Sequence, residues 1–304
     1  MTWRKKGFIF NANSHSAWAS TGAMIPTPII LSEKTVRVFL TFLDDDGIGR
    51  TGYVDLDSDN LTIKKISKSP IFEIGEPGTF DENGVLTCSV TRGTDDSYYF
   101  YYSGFELGRK IRYRLLTGLA ITDKDLNLIR KFKTPVLDRS EDELFFRGGP
   151  FCIHDNGVYR MWYVAGSEWK FIDDKQMPVY LINYIESSDG INWPDQGDIC
   201  ISIQHSDEYG FGRPYVIKHN GIYKMFYSIR KIGAGYRLGY AESRNGIDWT
   251  RLDEKLASLD VSEDGWDSEM IAYSAVIELK GKLLMFYNGN DFGKTGFGVA
   301  EWVD

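Results

Sequence analysis

Carboxylates set beside aromatic residues, and arginines at matching places in a repeated pattern, are the groups in this chain best suited to chemistry. Asp81 follows Phe80 in Gly75-Glu-Pro-Gly-Thr-Phe-Asp-Glu-Asn-Gly84, which also holds Glu76. Glu269 lies three residues after Trp266 in Gly265-Trp-Asp-Ser-Glu-Met270, with Asp267 between them. Glu168 precedes Trp169 in Ala165-Gly-Ser-Glu-Trp169. A carboxyl group desolvated by a neighbouring ring holds its proton to higher pH and can serve as a general acid or base. Asp81, Glu269 and Glu168 are therefore the candidate acid/base groups, and solvated turn-capping is the simpler role for each. Arg147, Arg213 and Arg230 are planar, permanently charged donors suited to carboxylates, phosphates or sugar hydroxyls; ion pairing within the fold is the alternative. Asn288 could hydrogen-bond hydroxyls or form a turn. Trp169 could stack on a sugar face, although packing would explain it as well. His15, in Asn13-Ser-His-Ser-Ala-Trp18, and Tyr273 complete the set of candidate ligand contacts.

These residues are placed by a repeat. A short apolar strand, a polar turn and an aromatic strand recur five times: PTPIILSEKTVRVFLTF from Pro26, LTCSVTRGTDDSYYFYYSG from Leu86, GGPFCIHDNGVYRMWYVAG from Gly148, GRPYVIKHNGIYKMFYSIR from Gly212 and AYSAVIELKGKLLMFYNGN from Ala272. Phe39, Tyr101, Trp162, Phe226 and Phe286 are equivalent anchors, spaced 62, 61, 64 and 60 residues apart. A third strand follows each pair. Two copies then share a turn, Ser187-Ser-Asp-Gly-Ile-Asn-Trp193 and Ser243-Arg-Asn-Gly-Ile-Asp-Trp249, in which glycine accepts the positive φ of a tight hairpin. No segment sustains a helical period, and the runs alternate as half-buried strands do. Four strands per repeat predict an all-β, five-bladed β-propeller of about 61 residues per blade, with a ring leaving no long exposed edge. Residues 1–304 form one domain on this reading, with blades near 23–66, 86–135, 148–200, 212–257 and 272–304. The N-terminal residues are expected to supply the outer strand of the last blade.

The stretches Gly212-Arg-Pro-Tyr-Val-Ile-Lys-His-Asn-Gly-Ile-Tyr-Lys-Met-Phe-Tyr and Tyr236-Arg-Leu-Gly-Tyr-Ala-Glu-Ser-Arg-Asn-Gly-Ile-Asp-Trp resemble the superfamily of five-bladed β-propeller glycosidases. That group includes arabinanases, β-xylosidases, invertases, levansucrases and mannoside phosphorylases. The resemblance implies a ligand at one end of a central channel, contacted from the inner strand of each blade. It also implies catalytic carboxylates just before a proline or small residue on those strands. Twelve residues before the anchors stand Thr27, Ser89, Pro150, Pro214 and Ser274, preceded by Pro26, Cys88, Gly149, Arg213 and Tyr273. None is a carboxylate, so the chain departs from the superfamily pattern there. Carboxylates cluster instead in the loops that, in a propeller, would face the channel mouth. The three arginines at one end of such a ring would leave room for an anionic ligand, a uronic acid or a sugar nucleotide.

Composition removes several other classes. Lys plus Arg total 35 and Asp plus Glu 43, for a net charge of −8, which opposes nucleic-acid binding. No apolar run approaches the roughly 20 residues of a membrane-spanning helix, and no apolar h-region follows the basic start, so no signal peptide is expected. Three cysteines, Cys88, Cys152 and Cys200, suit free thiols and a cytoplasmic setting. Asp55-x-Asp-x-Asp59 lacks the glycine and final glutamate of a calcium loop. No Cys or His pair has zinc spacing, and no cofactor is expected. The expected function is that of a carbohydrate-active enzyme working on a glycoside or sugar conjugate. The alternatives are a non-hydrolytic enzyme such as a cyclase acting on a nucleotide-linked or acylated sugar, and a carbohydrate-binding propeller without catalysis.

Overall fold

The computed structural model describes residues 2–13, 15–93, 96–172 and 174–303. Its strands fall into five antiparallel repeats of four. Repeat one runs Gly22–Ser32, Thr35–Leu43, Gly49–Asp57 and Ile63–Ile66. Repeat two runs Val85–Arg92, Tyr98–Leu107, Tyr113–Thr122 and Leu128–Lys131. Repeat three has Phe146–Asp155, Val158–Ile172, Lys175–Ser187 and Asp198–Ile201. Repeat four has Glu208–His219, Ile222–Lys231, Arg237–Ser243 and Thr250–Arg251. Repeat five has Ala272–Leu279, Lys282–Asn288 and Phe297–Val303, and takes its outer strand, Thr2–Phe10, from the N-terminus. The chain divides into two compact units. One comprises Met1–Pro70, Tyr215–Ile229 and Ala234–Asp304; the other comprises Ile71–Pro214 with Arg230–Gly233.

The sequence predicts half-buried alternation, but the middle strands are buried along most of their length on both faces. The cause is face-to-face packing of successive repeats. In the first unit Val38 and Leu40 of repeat one share a core with Phe286 and Val299 of repeat five, while Phe226 and Tyr240 of repeat four pack with Val276 and Met285. In the second unit Tyr101 and Leu119 pack with Met161, Tyr163 and Ile185. A strand covered on both sides needs continuous apolar and aromatic residues.

One polar arrangement recurs inside these cores. The residue after four of the five anchors is a tyrosine whose hydroxyl donates to a carboxylate: Tyr102 to Asp81 (2.9 Å), Tyr163 to Glu143 (2.9 Å), Tyr227 to Asp253 (2.7 Å) and Tyr287 to Asp267 (3.0 Å). Each carboxylate also meets a cation, respectively Lys131 (2.7 Å), Arg147 (2.5 Å), Arg251 (2.5 Å) and Lys5 (2.7 Å). Pairing a buried charge and satisfying its remaining lone pairs is what makes such a group tolerable in a core. Across the sheet from Tyr102, Tyr227 and Tyr287 stand Gly118, Gly239 and Gly298. The glycine is required by close approach, since a Cβ on Gly118 would lie 2.2 Å from Cζ of Tyr102.

Candidate functional site

The inner strands are interrupted at the positions where the superfamily resemblance places its catalytic groups. Register breaks fall between Met24 and Thr27, Thr87 and Ser89, Gly148 and Phe151, and Ala272 and Ala275. Ile25, Gly149 and Tyr273 have positive φ there, as does Arg213 at the matching position of repeat four. A bulge with a left-handed residue re-aims a side chain, and for a non-glycine residue it is held only by surrounding structure. The holding groups sit two residues after the anchors. Ser103 Oγ accepts Gly149 N–H (2.7 Å), Ser228 Oγ accepts Tyr273 N–H (2.9 Å), and Asn288 Oδ1 accepts Ile25 N–H (2.7 Å). Each links one repeat to the bulge of the next. Asn288 also donates to Ala23 O (2.8 Å) and Gly296 O (3.0 Å) and is fully buried. Its amide is thus engaged by backbone on three sides.

The other candidates separate by burial. Asp81 is 1 % exposed and held by Tyr102, Lys131 and Thr79 Oγ1 (3.0 Å). Repeats three, four and five use the same device, which gives Asp81 a structural account. Arg147, Arg213 and Arg230 are 2 %, 3 % and 1 % exposed. Arg147 pairs with Glu143 and donates to Asp138 O and Pro194 O. Arg213 donates to Cys88 O (3.3 Å). Arg230 donates to Pro178 O (2.5 Å) and lies 4.4 Å from the ring centres of Tyr180 and Tyr209. Their guanidinium groups face carbonyls, rings and Glu143, so the arginines bind the fold together in this structure. Glu168 is exposed and pairs with Lys170 (3.4 Å). Trp169 packs in a cluster with Tyr113, Phe145 and Phe146. His15 is exposed, 3.4 Å from Ser67 O. Burial pushes the Cys88 thiol up, and the Cys152 thiol to about 12, so neither is a ready nucleophile.

Glu269 and Tyr273 lie four residues apart in the first unit, in a region that also holds Asn290 and three residues that the sequence reading did not single out, Tyr236, Phe292 and Thr295. Asn290 Oδ1 accepts the N–H groups of Glu269 (2.8 Å) and Met270 (3.1 Å), and its Nδ2 donates to Gly265 O (3.1 Å). Thr295 Oγ1 donates to Trp266 O (2.7 Å). The loop before repeat five is thereby clipped to the loop after its middle strand. Within the second loop Asp291 and Phe292 are both left-handed, at φ 51° and 57°. That raises Phe292, 37 % exposed, against Tyr236 (5.1 Å between ring centres) and Tyr273 (6.4 Å), while Tyr236 and Tyr273 meet edge to face at 6.1 Å. Glu269 is exposed on the adjoining segment, its carbonyl accepting from Arg237 (3.0 Å). Three rings on strained backbone make a surface that can stack on a sugar, and Glu269 offers an exposed carboxylate on the adjoining segment. Among the described residues no group of three His, Cys, Asp or Glu side chains could hold a metal ion, and no helix is long and apolar enough to cross a membrane.

The chain is similar to known proteins along its length. Residues 170–297 match the family model described as beta-1,4-mannooligosaccharide phosphorylase. An uncharacterized protein of Mycobacterium tuberculosis is 34 % identical over 301 residues, 99 % of each chain. A solved glycoside hydrolase superposes with a TM-score of 0.71 over 98 % of this chain and 90 % of its own, at 17 % identity. A putative glycosidase from Bacteroides thetaiotaomicron gives 0.69 over 99 % and 96 %, at 16 % identity. An alpha-L-arabinofuranosidase from Lactobacillus brevis gives 0.68 over 93 % and 91 %, at 10 % identity. The fold is therefore a β-propeller. The chain belongs to one family with the mycobacterial protein, and it has the fold of the solved glycoside hydrolases, with similarity to the phosphorylase model over residues 170–297.

Proposed function

We propose that this protein is an enzyme that cleaves or transfers a glycoside or sugar conjugate, on a single five-bladed propeller whose blades are the five repeats. The carrying observation is the left-handed Asp291-Phe292 pair. Two consecutive non-glycine residues in that conformation cost roughly 1–3 kcal/mol each, and they hold an exposed ring beside Tyr236 and Tyr273. A sugar would stack on Phe292 and Tyr273, and Glu269 would serve as general acid or base. No inner-strand carboxylate stands at the bulges, so this role falls to a loop residue.

The family model's description makes a β-1,4-mannooligosaccharide, supplied with and without inorganic phosphate, the first substrate to try; aryl glycosides and nucleotide sugars follow. Release of a sugar 1-phosphate only when phosphate is present would mark phosphorolysis, and free sugar would mark hydrolysis. On the substrate found, Glu269→Gln should lower kcat by about 10²–10⁴ with the fold intact. Phe292→Ala should raise KM. Full turnover in both variants would move the site elsewhere, and saturable binding without turnover would make the protein a lectin-like propeller.

A further inference from the structure

Asn183 breaks a series. It stands across the sheet from Tyr163, where the other repeats have Gly52, Gly118, Gly239 and Gly298. Its Nδ2 donates to Glu143 Oε1 (2.6 Å), and the carboxylate's need for a donor fixes the amide in that sense. The side chain is 6 % exposed, yet Oδ1 finds no partner among the described residues. A buried acceptor left unmet is costly, so it marks a place where a donor from outside the fold would be stabilising.

Asn183 and Glu143 form part of the wall of a cavity of about 290 Å³, near the lower end of the size of small-molecule sites. Val179, Leu181 and Ile199 give it an apolar side. At Asp142 and Gln196 it continues into an open groove of about 530 Å³ that reaches Arg139 and Asp195. Glu143 is already matched by Arg147, Tyr163 and Asn183, so it has no charge to offer a ligand. The rim carries Glu141, Asp142, Glu168 and Asp195 against Lys170 and Arg139, which disfavours an anion.

We infer that repeat three carries a second, non-catalytic site for a neutral oligosaccharide, with one sugar unit in the cavity donating a hydroxyl to Asn183 Oδ1 and further units lying along the groove. A sugar suits it because each ring offers hydroxyl donors on its edge and an apolar C–H face for Val179, Leu181 and Ile199. This site is separate from the Phe292 surface and does not depend on the activity proposed there.

The test is calorimetric titration of the whole protein with the tetrasaccharides of β-1,4-mannose, β-1,4-xylose and α-1,5-arabinose, with mannose 1-phosphate as an anionic control. At least one tetrasaccharide should bind saturably at millimolar concentration or below, and a saturable site for it should remain in Phe292→Ala. Asn183→Gly restores the residue the other repeats use, so it should fold, and it should weaken that binding about tenfold or more. Leu181→Trp, which fills the cavity, should abolish it. The inference fails if none of the three binds the wild-type protein, if Asn183→Gly binds unchanged, if Phe292→Ala alone removes the binding, or if mannose 1-phosphate binds more tightly than the sugars.

Discussion

Asp81 and Glu269 have similar surroundings in the sequence and opposite surroundings in space. Each follows an aromatic residue in a loop that leads to an inner strand. Asp81 is sealed beneath Tyr102 and paired with Lys131, whereas Glu269 is exposed, held through its backbone by Asn290 and Arg237. Asp81→Asn should therefore act on stability. It leaves Lys131 facing a neutral partner in a mostly buried place, and a loss of about 3 kcal/mol in urea unfolding is expected. Turnover per folded molecule should not change. A variant as stable as wild type but inactive would return Asp81 to the catalytic role. Nothing local in the sequence separates the two residues, because the partners that decide between them lie 21 and 50 residues away for Asp81. Asn288 shows the same difficulty. Its type suits sugar hydroxyls, but its partners are the backbone of Ala23 and Ile25 in another repeat.

Elements were far more legible than sites. The aromatic anchors pair with the residues that spacing assigns to them: Phe39 with Thr27, Tyr101 with Ser89, and Phe286 with Ala275, one residue from the expected Ser274. The outer strand from the N-terminus is also where the repeat demands it. A fixed period carries that information because every repeat solves the same packing problem. The tyrosine–carboxylate–cation sets were less visible. In each set the tyrosine follows the anchor, but Asp253 comes after the fourth strand of its own repeat while Asp81, Glu143 and Asp267 precede the inner strand of theirs. The glycine opposite the tyrosine is the most exacting member. Gly118→Ala would drive a methyl group into the Tyr102 ring. It should cost at least about 1–3 kcal/mol as overpacking, read as a lower urea midpoint. Unchanged stability would mean that the ring is free to shift. The same alignment of glycines, made on the sequence, would have exposed Asn183 as the exception.

For the whole molecule, the outer edges are where association would begin. The fourth strands of repeats one to four have two to four residues, and Lys64, Lys65, Arg130 and Lys131 stud two of them. Short, charged edges blunt pairing with other chains. Repeat five differs, since its outer strand is nine residues long and carries Trp3 into the core beside Phe226. Deleting residues 2–10 should uncover Phe297–Val303 as a long unpaired edge. The truncated chain is expected to aggregate, or to lose its single cooperative thermal transition, as followed by light scattering and calorimetry. A soluble truncation with the full transition enthalpy would show that the strand is dispensable.

The pairing of Thr2–Phe10 with Phe297–Val303 also sets a timetable. Thr2–Phe10 leaves the ribosome well before the strand it pairs with. At about 5–20 residues per second it waits roughly 15–60 s, while the repeats between can already collapse. Through that interval an edge-competent segment carrying Trp3, Phe8, Ile9 and Phe10 trails from the nascent chain, open to chaperones or to the same segment of a neighbouring polysome. Completion of repeat five is thus coupled to synthesis of Phe297–Val303. A chain that stops short of Phe297 leaves Thr2–Phe10 without its partner, and quality control could recognise it by that one unpaired strand.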